Sequence, residues 1–343
     1  MFDLEKLVRT NVKRLTPYSC ARDDFHGMAD IFLDANENPF GNLNRYPDPY
    51  QRELKAVISK IKGVPEERIF LGNGSDEIID LCFRIFCNPG TDKALTFSPS
   101  YGMYEVSASV NDVQIIKIPL NNKFGISFSD LIPWLPDERL KLIIICSPNN
   151  PTGNCMDRSV VEKIISEFKG IILLDEAYID FADQPSMRDS ITRYPNLIVM
   201  QTFSKAFGMA SVRVGMAFTN PEIVRYFNKM KPPYNISTIN QKAVLRKLAK
   251  TGEYKTQVRK IREERERLSG ELVKLSLTEE VYLSDANFLL VRVKDVGLIY
   301  NYLVNRGIII RNRSSVIDNC LRITVGTKSE NTRLLQTLKE IVI

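Results

Sequence analysis

The chain has 343 residues, of which 44% are apolar and 26% charged, a composition typical of a folded globular protein long enough for two domains. Its formal net charge of +6 is spread along the sequence without a basic tail, which favours anionic small molecules over nucleic acid as partners. The N-terminus lacks an apolar signal region and no run reaches the length of a membrane span, so we expect a cytoplasmic protein without membrane contact.

The histidine and cysteine content restricts the chemistry. The six cysteines form no C-x-x-C pair, and the single histidine, His26, lies in a polar stretch. A metal site is therefore not expected. A catalytic acid or base would be a Lys, Tyr, Asp or Glu side chain.

Residues 1–40 are predicted to form an arm, within which the short apolar run 31–33 predicts a strand. Leu54, Val57, Ile58 and Ile61 then mark one face of an amphipathic helix that ends at Gly63.

The next predicted strand, at 69–71, leads into the turn G-N-G-S-D-E and a buried helix that reaches residue 86. Free N–H groups at such a helix start can bind an anion. The alternative is a capped helix, with Ser75 or Asn73 as the N-cap residue. The pattern alone leaves both interpretations open.

Further strands are predicted at 94–97, 113–118, 142–146, 171–174 and 197–200, with helices between them, which indicates a mainly parallel α/β sheet. Ligands bind outside the carboxyl ends of the strands in such a sheet. Asn150, Asp175 and Lys205 each follow an apolar run at that position and are candidate site residues. A lysine among apolar neighbours is a candidate covalent amine, because desolvation lowers its pKa.

From Tyr254 onward, apolar residues at helical spacing predict one long linking helix whose apolar face is interrupted by Arg265. Strands are predicted at 287–293, 307–310 and 321–325, and helices at 298–303 and 332–341. The expected organisation is an arm (1–40), a large α/β domain (41–250), and the linking helix with a small α+β domain (251–343).

A set of motifs spans residues 14–327 in one order. They are R-L-T-P-Y, D-A-N-E-N-P-F, N-R-Y-P, G-S-D-E, S-Y-G-M-Y, C-S-P-N-N-P-T-G, D-E-A-Y, T-F-S-K-A-F-G-M-A-S-V-R-V-G and C-L-R-I-T-V-G-T. This ordered set resembles the fold-type I, pyridoxal-phosphate-dependent aminotransferases and, within them, the histidinol-phosphate aminotransferase family. The resemblance implies an α/β fold with a large, mainly parallel mixed sheet flanked by helices and a smaller α+β C-terminal domain.

The resemblance also implies a role for each matching residue around pyridoxal 5'-phosphate. Lys205 would hold the cofactor covalently and then move a proton between substrate and cofactor. Asp175 would pair with the ring nitrogen, Asn150 and Tyr178 would donate to the phenolic oxygen, and Tyr101 would stack on the ring.

The cofactor phosphate would be bound by a second group of residues. In the family pattern these are the backbone N–H groups of Ser75 and Asp76, the hydroxyls of Thr202 and Ser204, and the guanidinium of Arg213. Tyr46 would reach the phosphate of the neighbouring subunit, which implies a homodimer with shared active sites.

The implied reaction transfers an amino group between glutamate and imidazole acetol phosphate, with 2-oxoglutarate and L-histidinol phosphate on the other side. Arg322 would bind the carboxylate of glutamate and the phosphate of the second substrate, since a guanidinium suits both anions. Arg311 and Tyr18 are the additional phosphate contacts that the pattern suggests, and Arg313 competes with Arg311 for this role.

Other activities remain open at this point. An aromatic amino-acid aminotransferase and a threonine-phosphate decarboxylase would carry the same motifs. A non-catalytic regulator is disfavoured because Lys205 is retained and because we expect no DNA-binding domain before Asp34. A nicotinamide dehydrogenase is disfavoured because the turn after the first strand lacks G-x-G-x-x-G.

Overall fold

A seven-stranded sheet forms the larger part of the computed structural model, which describes residues 2–18 and 30–341. The strand order is β1-β7-β6-β5-β4-β2-β3. All neighbours are parallel except β7, which is antiparallel to both β1 and β6. The strands are Ile69–Gly72 (β1), Lys93–Ser98 (β2), Gln114–Pro119 (β3), Leu140–Cys146 (β4), Ile171–Asp175 (β5), Leu197–Thr202 (β6) and Gly215–Phe218 (β7).

Helices cover both faces of this sheet, so its central strands are buried on both sides, as continuous apolar runs require. In β4, Ile143 and Ile145 pack on one face, while Leu142 and Ile144 pack on the other. The helices are Leu4–Leu7 (α1), Thr10–Arg14 (α2), Arg52–Lys62 (α3), Ser75–Phe86 (α4), Met103–Val110 (α5), Phe128–Leu131 (α6), Arg158–Glu167 (α7), Pro221–Met230 (α8) and Thr238–Leu248 (α9).

A long helix, Thr251–Leu272 (α10), leads to a second, antiparallel sheet of four strands in the order β10-β11-β9-β8. This sheet has its own apolar cluster, to which α10 contributes Leu268 and Leu272. The remaining elements are Thr278–Val281 (β8), Phe288–Val293 (β9), Val296–Val304 (α11), Arg311–Asn312 (β10), Cys320–Thr324 (β11) and Lys328–Lys339 (α12).

Two predicted strands are wrong. Residues 31–33 form no strand, and Ile31 and Leu33 are 77% and 91% exposed. Residues 307–310 form no strand either, because Gly307 has a left-handed φ of 71° and the chain joins the sheet only at β10. The edge strand β8 was not predicted, since T-E-E-V lacks the apolar alternation that would mark it.

Arg265, the residue that interrupts the apolar face of α10, is only 6% exposed. Its Nη1 donates to the carbonyl of Ala286 at 3.0 Å and to that of Phe181 at 3.4 Å. Phe181 follows β5 of the large sheet and Ala286 precedes β9 of the small one. The buried guanidinium therefore joins the linking helix to both parts of the chain.

Among residues 2–18 and 30–341, none of the helices combines the length and apolar character that crossing a lipid bilayer requires.

We predict that Arg265→Met lowers the free energy of unfolding by about 1–3 kcal/mol, because two buried carbonyls lose their donor. Thermal and urea unfolding measure this loss. The matched control is Arg259→Met on the same helix, whose side chain is exposed and pairs with Glu263. That variant should lie within about 0.5 kcal/mol of the parent protein. Equal effects of the two variants would contradict the assigned role.

Candidate active site

The parallel strands β4, β5 and β6 end at the same edge of the large sheet, where their last residues face a cavity of about 180 Å³. The start of α4 and one residue of β11 complete its wall. The structure brings together here most of the residues predicted from sequence: Ser75, Asp76, Tyr101, Asn150, Asp175, Tyr178, Thr202, Ser204, Lys205, Arg213 and Arg322.

Lys205 lies in the turn that follows β6, and it lines the cavity. Its ammonium nitrogen is 5.4 Å from the centre of the Tyr178 ring. Partial removal from water lowers the pKa of Lys205, and the positive charge of Arg322 lowers it further. Asp175 and Asp76 act in the opposite direction. The amine is thus closer to its neutral, nucleophilic form than a solvated lysine.

Asp175 is the last residue of β5 and is only 4% exposed. Its Oδ2 accepts a hydrogen bond of 2.6 Å from the hydroxyl of Tyr104, and its Oδ1 accepts one of 3.0 Å from the backbone N–H of Ala177. Burial raises the pKa of Asp175 to about 6, although both hydrogen bonds favour the ionised form. A carboxylate buried in this way is suited to pair with a cationic group in the cavity.

Two aromatic side chains flank the cavity. Tyr178 is 7% exposed, and its ring meets that of Phe288 edge to face at 5.2 Å. Burial raises the pKa of Tyr178 above its usual range, so its hydroxyl remains a proton donor. Tyr101 is half-buried, and burial followed by the charges of Asp76 and Asp175 raises its pKa to about 12.

The start of α4 is open toward the cavity. Its N-cap residue is Gly74, and no side chain caps the first turn, so of the two open interpretations the structure does not bear out the one with Ser75 or Asn73 as the N-cap residue. Free N–H groups are left in the first turn, the arrangement that binds anions at helix N-termini. Glu77 instead accepts a hydrogen bond from the N–H of Asn73, one residue before the cap.

Two glycines allow other parts of the chain to lie close to this helix start. A Cβ atom on Gly74 would lie 2.5 Å from Nη2 of Arg213, and one on Gly215 would lie 2.6 Å from the backbone nitrogen of Ser75. Glycine is the only residue that fits both positions without a shift of its surroundings. The helix start, the β6 turn and Arg213 therefore form a narrow cradle.

The same cradle contains an ion pair. Arg213 has a left-handed φ of 52°, and its Nη2 lies 3.1 Å from Oδ2 of Asp76. The hydroxyl of Thr202 accepts the N–H of Ser204 at 3.1 Å, which fixes the turn that leads to Lys205. Hydroxyls, free N–H groups and a guanidinium are the donors that a phosphate requires.

Asn150 and Arg322 connect the two sheets across the cavity. The Nη1 atom of Arg322, in β11, donates to Oδ1 of Asn150, and the guanidinium lies 5.4 Å from the centre of the Phe288 ring. Asn150 is only 7% exposed. Burial lowers the pKa of Arg322, and Arg311 contributes in the same direction.

Asn149 was missed in the sequence analysis, where the turn cluster S-P-N-N-P-T-G drew attention only to its neighbour. It is 1% exposed. Its side chain accepts from the hydroxyl of Ser100 at 2.8 Å and donates to the carbonyl of Pro99 at 2.9 Å and to the hydroxyl of Thr152 at 2.8 Å. Asn149 thus fixes the loop that presents Asn150.

Glu176, next to Asp175, was missed as well and lies in a buried polar network behind the cavity. It accepts from the N–H of Met187 at 2.7 Å and from Gln201 at 2.9 Å. Gln201 in turn accepts from Lys62 at 2.9 Å, and Lys62 lies 3.5 Å from Asp180. The network therefore fixes both ends of the segment that carries Asp175 and Tyr178.

The arginines of the small sheet lie beside one another. Arg311 in β10 is directly opposite Arg322 in β11, so both side chains are on one face of the sheet. Arg313, two residues further, is half-buried, and its Nε is buried without a hydrogen-bond partner among the described residues. Burial lowers the pKa of Arg313, as do Arg322 and Arg311. The unmatched positive charge favours an anion between these side chains.

Three predicted site residues, Tyr18, Tyr46 and Arg311, do not line the cavity of this chain, although Arg311 lies opposite Arg322, which does. Tyr18 is 71% exposed. Tyr46 is 50% exposed, stacks on Tyr234 at 4.5 Å and lines a separate surface cleft of about 1010 Å³. His26, which we considered as a catalytic residue and disfavoured, lies outside the described residues.

Comparison with known proteins agrees with this geometry. Residues 23–338 match the family model described as aminotransferase class I and II. The chain is 51% identical over 345 residues to the histidinol-phosphate aminotransferase of Bacteroides fragilis strain YCH46, with 99% of each chain covered. It is 50% identical to the protein of that name from Cytophaga hutchinsonii, with 98% of this chain and 99% of the relative covered.

Solved structures show the same fold. The crystal structure of the histidinol-phosphate aminotransferase from Clostridium acetobutylicum aligns with a TM-score of 0.80 at 30% identity, covering 87% of this chain and 91% of that chain. The enzyme from Sinorhizobium meliloti in complex with pyridoxal-5'-phosphate aligns with a TM-score of 0.79 at 23% identity, covering 89% of each chain. From the family match and these relatives, the chain belongs to the class I and II aminotransferases.

Proposed function

We propose that the chain is a histidinol-phosphate transaminase, which moves an amino group from glutamate to imidazole acetol phosphate and forms 2-oxoglutarate and L-histidinol phosphate. The observation that carries this proposal is the pair of opposed arginines, Arg311 and Arg322, of which Arg322 lines the cavity that also contains Lys205. The relatives of that name, about half identical over almost the whole chain, support it.

The cofactor that we propose is pyridoxal 5'-phosphate, and the residues of the cavity fit its charges. Asp175 is a buried carboxylate suited to a protonated ring nitrogen, and the cradle at Gly74 and Gly215 is suited to a phosphate. When bound, the cofactor supplies an electron sink for the bond that is broken at the substrate carbon. Lys205 lies between the two binding elements and provides the amine that would hold the cofactor covalently.

Each remaining residue of the cavity has a role that its surroundings support. The backbone N–H groups of Ser75 and Asp76 would bind the phosphate together with Thr202, Ser204 and Arg213. Asn150 and Tyr178 would donate to the phenolic oxygen, and Tyr101 would stack on the ring. Tyr178 suits this donor role because burial raises its pKa and keeps it protonated.

Lys205 would be the acid–base group of the reaction. Its pKa is lowered by partial removal from water and by Arg322, so a larger fraction of the amine is neutral and able to accept a proton from the substrate carbon. Asp175 and Asp76 would attract the resulting ammonium, which would then pass a proton to the cofactor carbon. This role fits an active site in which sequence analysis found no suitable histidine.

Substrate binding would depend on the arginines of the small sheet. Arg322 would bind the carboxylate of glutamate in one half-reaction and, with Arg311, the phosphate of the other substrate in the second. Two like charges directly opposite each other destabilise a sheet unless an anion lies between them. Arg313 is the neighbouring cation of this cluster, and Tyr18 is a further proposed contact.

The substrate proposal is tested by adding single amino donors to the cofactor-loaded protein and following its visible absorption. We expect L-histidinol phosphate and glutamate to bleach the band of the Lys205-bound cofactor, because each would carry an amine and an anion matched to Arg322. Phenylalanine and threonine phosphate should bleach it far more slowly. Faster bleaching by phenylalanine would indicate an aromatic aminotransferase, and release of carbon dioxide from threonine phosphate would indicate a decarboxylase.

The same assay applied to Arg311→Met identifies the phosphate contact. The concentration of histidinol phosphate for half-maximal bleaching should rise about 10–100-fold, the loss expected for one charge-assisted hydrogen bond. The dependence on glutamate should change much less. Arg313→Met distinguishes the two candidates, and Arg333→Met, an exposed arginine of α12, is the matched control. A larger effect of Arg313→Met would move the phosphate contact to Arg313.

We further propose a homodimer in which Tyr46 reaches the cofactor phosphate of the partner subunit. In a single chain, large apolar side chains between residues 31 and 46 are widely exposed: Ile31 77%, Leu33 91%, Phe40 81% and Leu43 71%. An exposed patch of this kind marks an interaction surface. It adjoins the cleft that Tyr46 lines, which supports one continuous interface.

We expect the protein to sediment as a dimer and the double variant Leu33→Asp/Leu43→Asp to sediment as a monomer, because two charges would be buried in the interface. Analytical ultracentrifugation measures this change. Val273→Asp is the matched control, since Val273 is 62% exposed at the end of α10. A parent protein that is monomeric and still active would contradict the shared site.

We also propose that the domain limits are 1–40, 41–250 and 251–343, with the second sheet and its separate apolar cluster as support.

A cytoplasmic location is proposed as well, because the cysteines that the structure describes are free.

A further inference from the structure

Tyr104 is a fully buried tyrosine near the cavity, and no role was predicted for it from sequence. It lies in the first turn of α5 and is 0% exposed. Its hydroxyl donates to Oδ2 of Asp175 at 2.6 Å, a length typical of a bond between a hydroxyl and a carboxylate. Tyr101, three residues earlier, meets its ring edge to face at 5.6 Å.

The surroundings of Tyr104 leave this hydrogen bond with few competitors. The ring lies in the apolar cluster between the large sheet and helices α4, α5 and α8. The thiol of Cys146 is the other polar neighbour of its hydroxyl. Burial and the charge of Asp175 raise the pKa of Tyr104 well above its usual range. The hydroxyl therefore keeps its proton and acts as a donor to Asp175.

Among the described residues, the titratable groups that interact with Asp175 act in different directions, and the guanidinium groups of Arg213 and Arg322 line the same cavity. The negative charge of Asp76 raises its pKa, whereas the ammonium of Lys205 and the hydrogen bond from Tyr104 lower it. Tyr101, Tyr178 and Cys146 are neutral in their protonated forms, and burial raises the pKa of each. After burial itself, the hydrogen bond from Tyr104 has the largest single effect on the pKa of this carboxyl.

We propose that Tyr104 is a positioning residue that keeps the Asp175 carboxylate ionised and fixed in orientation, and thereby holds the proton on the ring nitrogen of the cofactor. This inference rests on the proposed function insofar as it concerns the ring nitrogen. The contact between Tyr104 and Asp175 belongs to the protein alone. With the Ala177 N–H on one oxygen and the Tyr104 hydroxyl on the other, the plane of the carboxylate is fixed from two sides.

The inference is tested first on the cofactor-free protein. The variant Tyr104→Phe removes one oxygen and leaves the apolar packing of the ring in place. We expect the pKa of Asp175, followed by NMR of ¹³C-labelled aspartate carboxyls, to rise above the value of about 6 in the parent protein, since a hydrogen bond that favours the charged form is lost. Asp175→Asn assigns the resonance.

A matched control is present in the same apolar cluster. Tyr226 is 5% exposed, and its hydroxyl donates to Oε1 of Glu5 at 2.6 Å. Tyr226→Phe therefore removes a bond of the same type and length and should leave the pKa of Asp175 unchanged.

A second variant should shift the pKa of Asp175 in the opposite direction. With 3-fluorotyrosine at position 104 the hydroxyl is a stronger donor, and the pKa of Asp175 should fall.

The cofactor-loaded protein gives an independent readout. In Tyr104→Phe, the pH midpoint of the visible absorption of the Lys205-bound cofactor should rise, because a ring nitrogen that is less often protonated withdraws less charge from the linkage. In an Asp175→Asn background, which has no carboxylate to ionise, the same change should have no effect.

An unchanged pKa of Asp175 in Tyr104→Phe, or an equal shift in Tyr226→Phe, would overturn the inference. A pKa shift that is confirmed without any cofactor binding by the parent protein would leave the role of Tyr104 toward Asp175 standing and would contradict the proposed function instead.

Discussion

The arrangement of the site depends on one buried carboxylate. Asp175 terminates a strand that is apolar along its whole length, and it lies where an ionised group is costly unless it is paired. Two hydrogen bonds from Tyr104 and the Ala177 N–H offset part of this cost, but its pKa still rises to about 6. We propose that a protonated ring nitrogen of the cofactor would offset the rest.

Beside the carboxylates of Asp175 and Asp76, the arginines of the cavity come from its two ends, one near the large sheet and one in the small sheet. Arg213 lies beside the open helix start of α4, and Arg322 lies beside Arg311 in the small sheet. Lys205 is placed between these ends, where Arg322 and Asp175 act on its pKa in opposite directions. A bound molecule with an anion at one end, a cationic ring nitrogen in the middle and space for an anionic substrate at the other end matches this distribution.

The supporting structure fixes these charges in both parts of the chain. The Glu176 network holds the segment after β5, and Asn149 holds the loop after β4. Arg265 joins the linking helix to the carbonyls of Phe181 and Ala286. The hydrogen bond between Arg322 and Asn150 closes the cavity across the two sheets. The substrate contacts proposed for the small sheet would thus reach a cavity whose other residues belong to the large one.

Much of this could be predicted from sequence, for definable reasons. Continuous apolar runs identify the parallel strands, and polar residues directly after them identify Asn150, Asp175 and Lys205. The strand predicted at 307–310 was wrong because apolar residues that pack beneath a sheet and those that pair within it look alike in sequence. The sequence leaves open whether a side chain caps α4, because only the structure shows that its N-cap residue is Gly74, which lies close to Gly215 and Arg213.

Residues whose role comes from a distant contact gave no local signal. Tyr104 lies 71 positions before Asp175 in the sequence, and only the fold brings its hydroxyl within hydrogen-bonding distance. Asn149 and Glu176 were overlooked for a related reason, since each is next to a residue with more obvious chemistry. The roles proposed for Tyr18 and Tyr46 stay predictions, as both lie away from the cavity of a single chain.

The most direct measurement is the site of covalent attachment of the cofactor. Purified protein is incubated with pyridoxal 5'-phosphate, reduced with borohydride, digested and mapped by mass spectrometry, alongside Lys205→Ala and, as a control, the surface variant Lys163→Ala. We expect one label per chain, on Lys205, in the parent protein and in Lys163→Ala, and none at saturation in Lys205→Ala. Equal labelling of Lys205→Ala, or a label on another lysine of the parent protein, would contradict the assignment of the site.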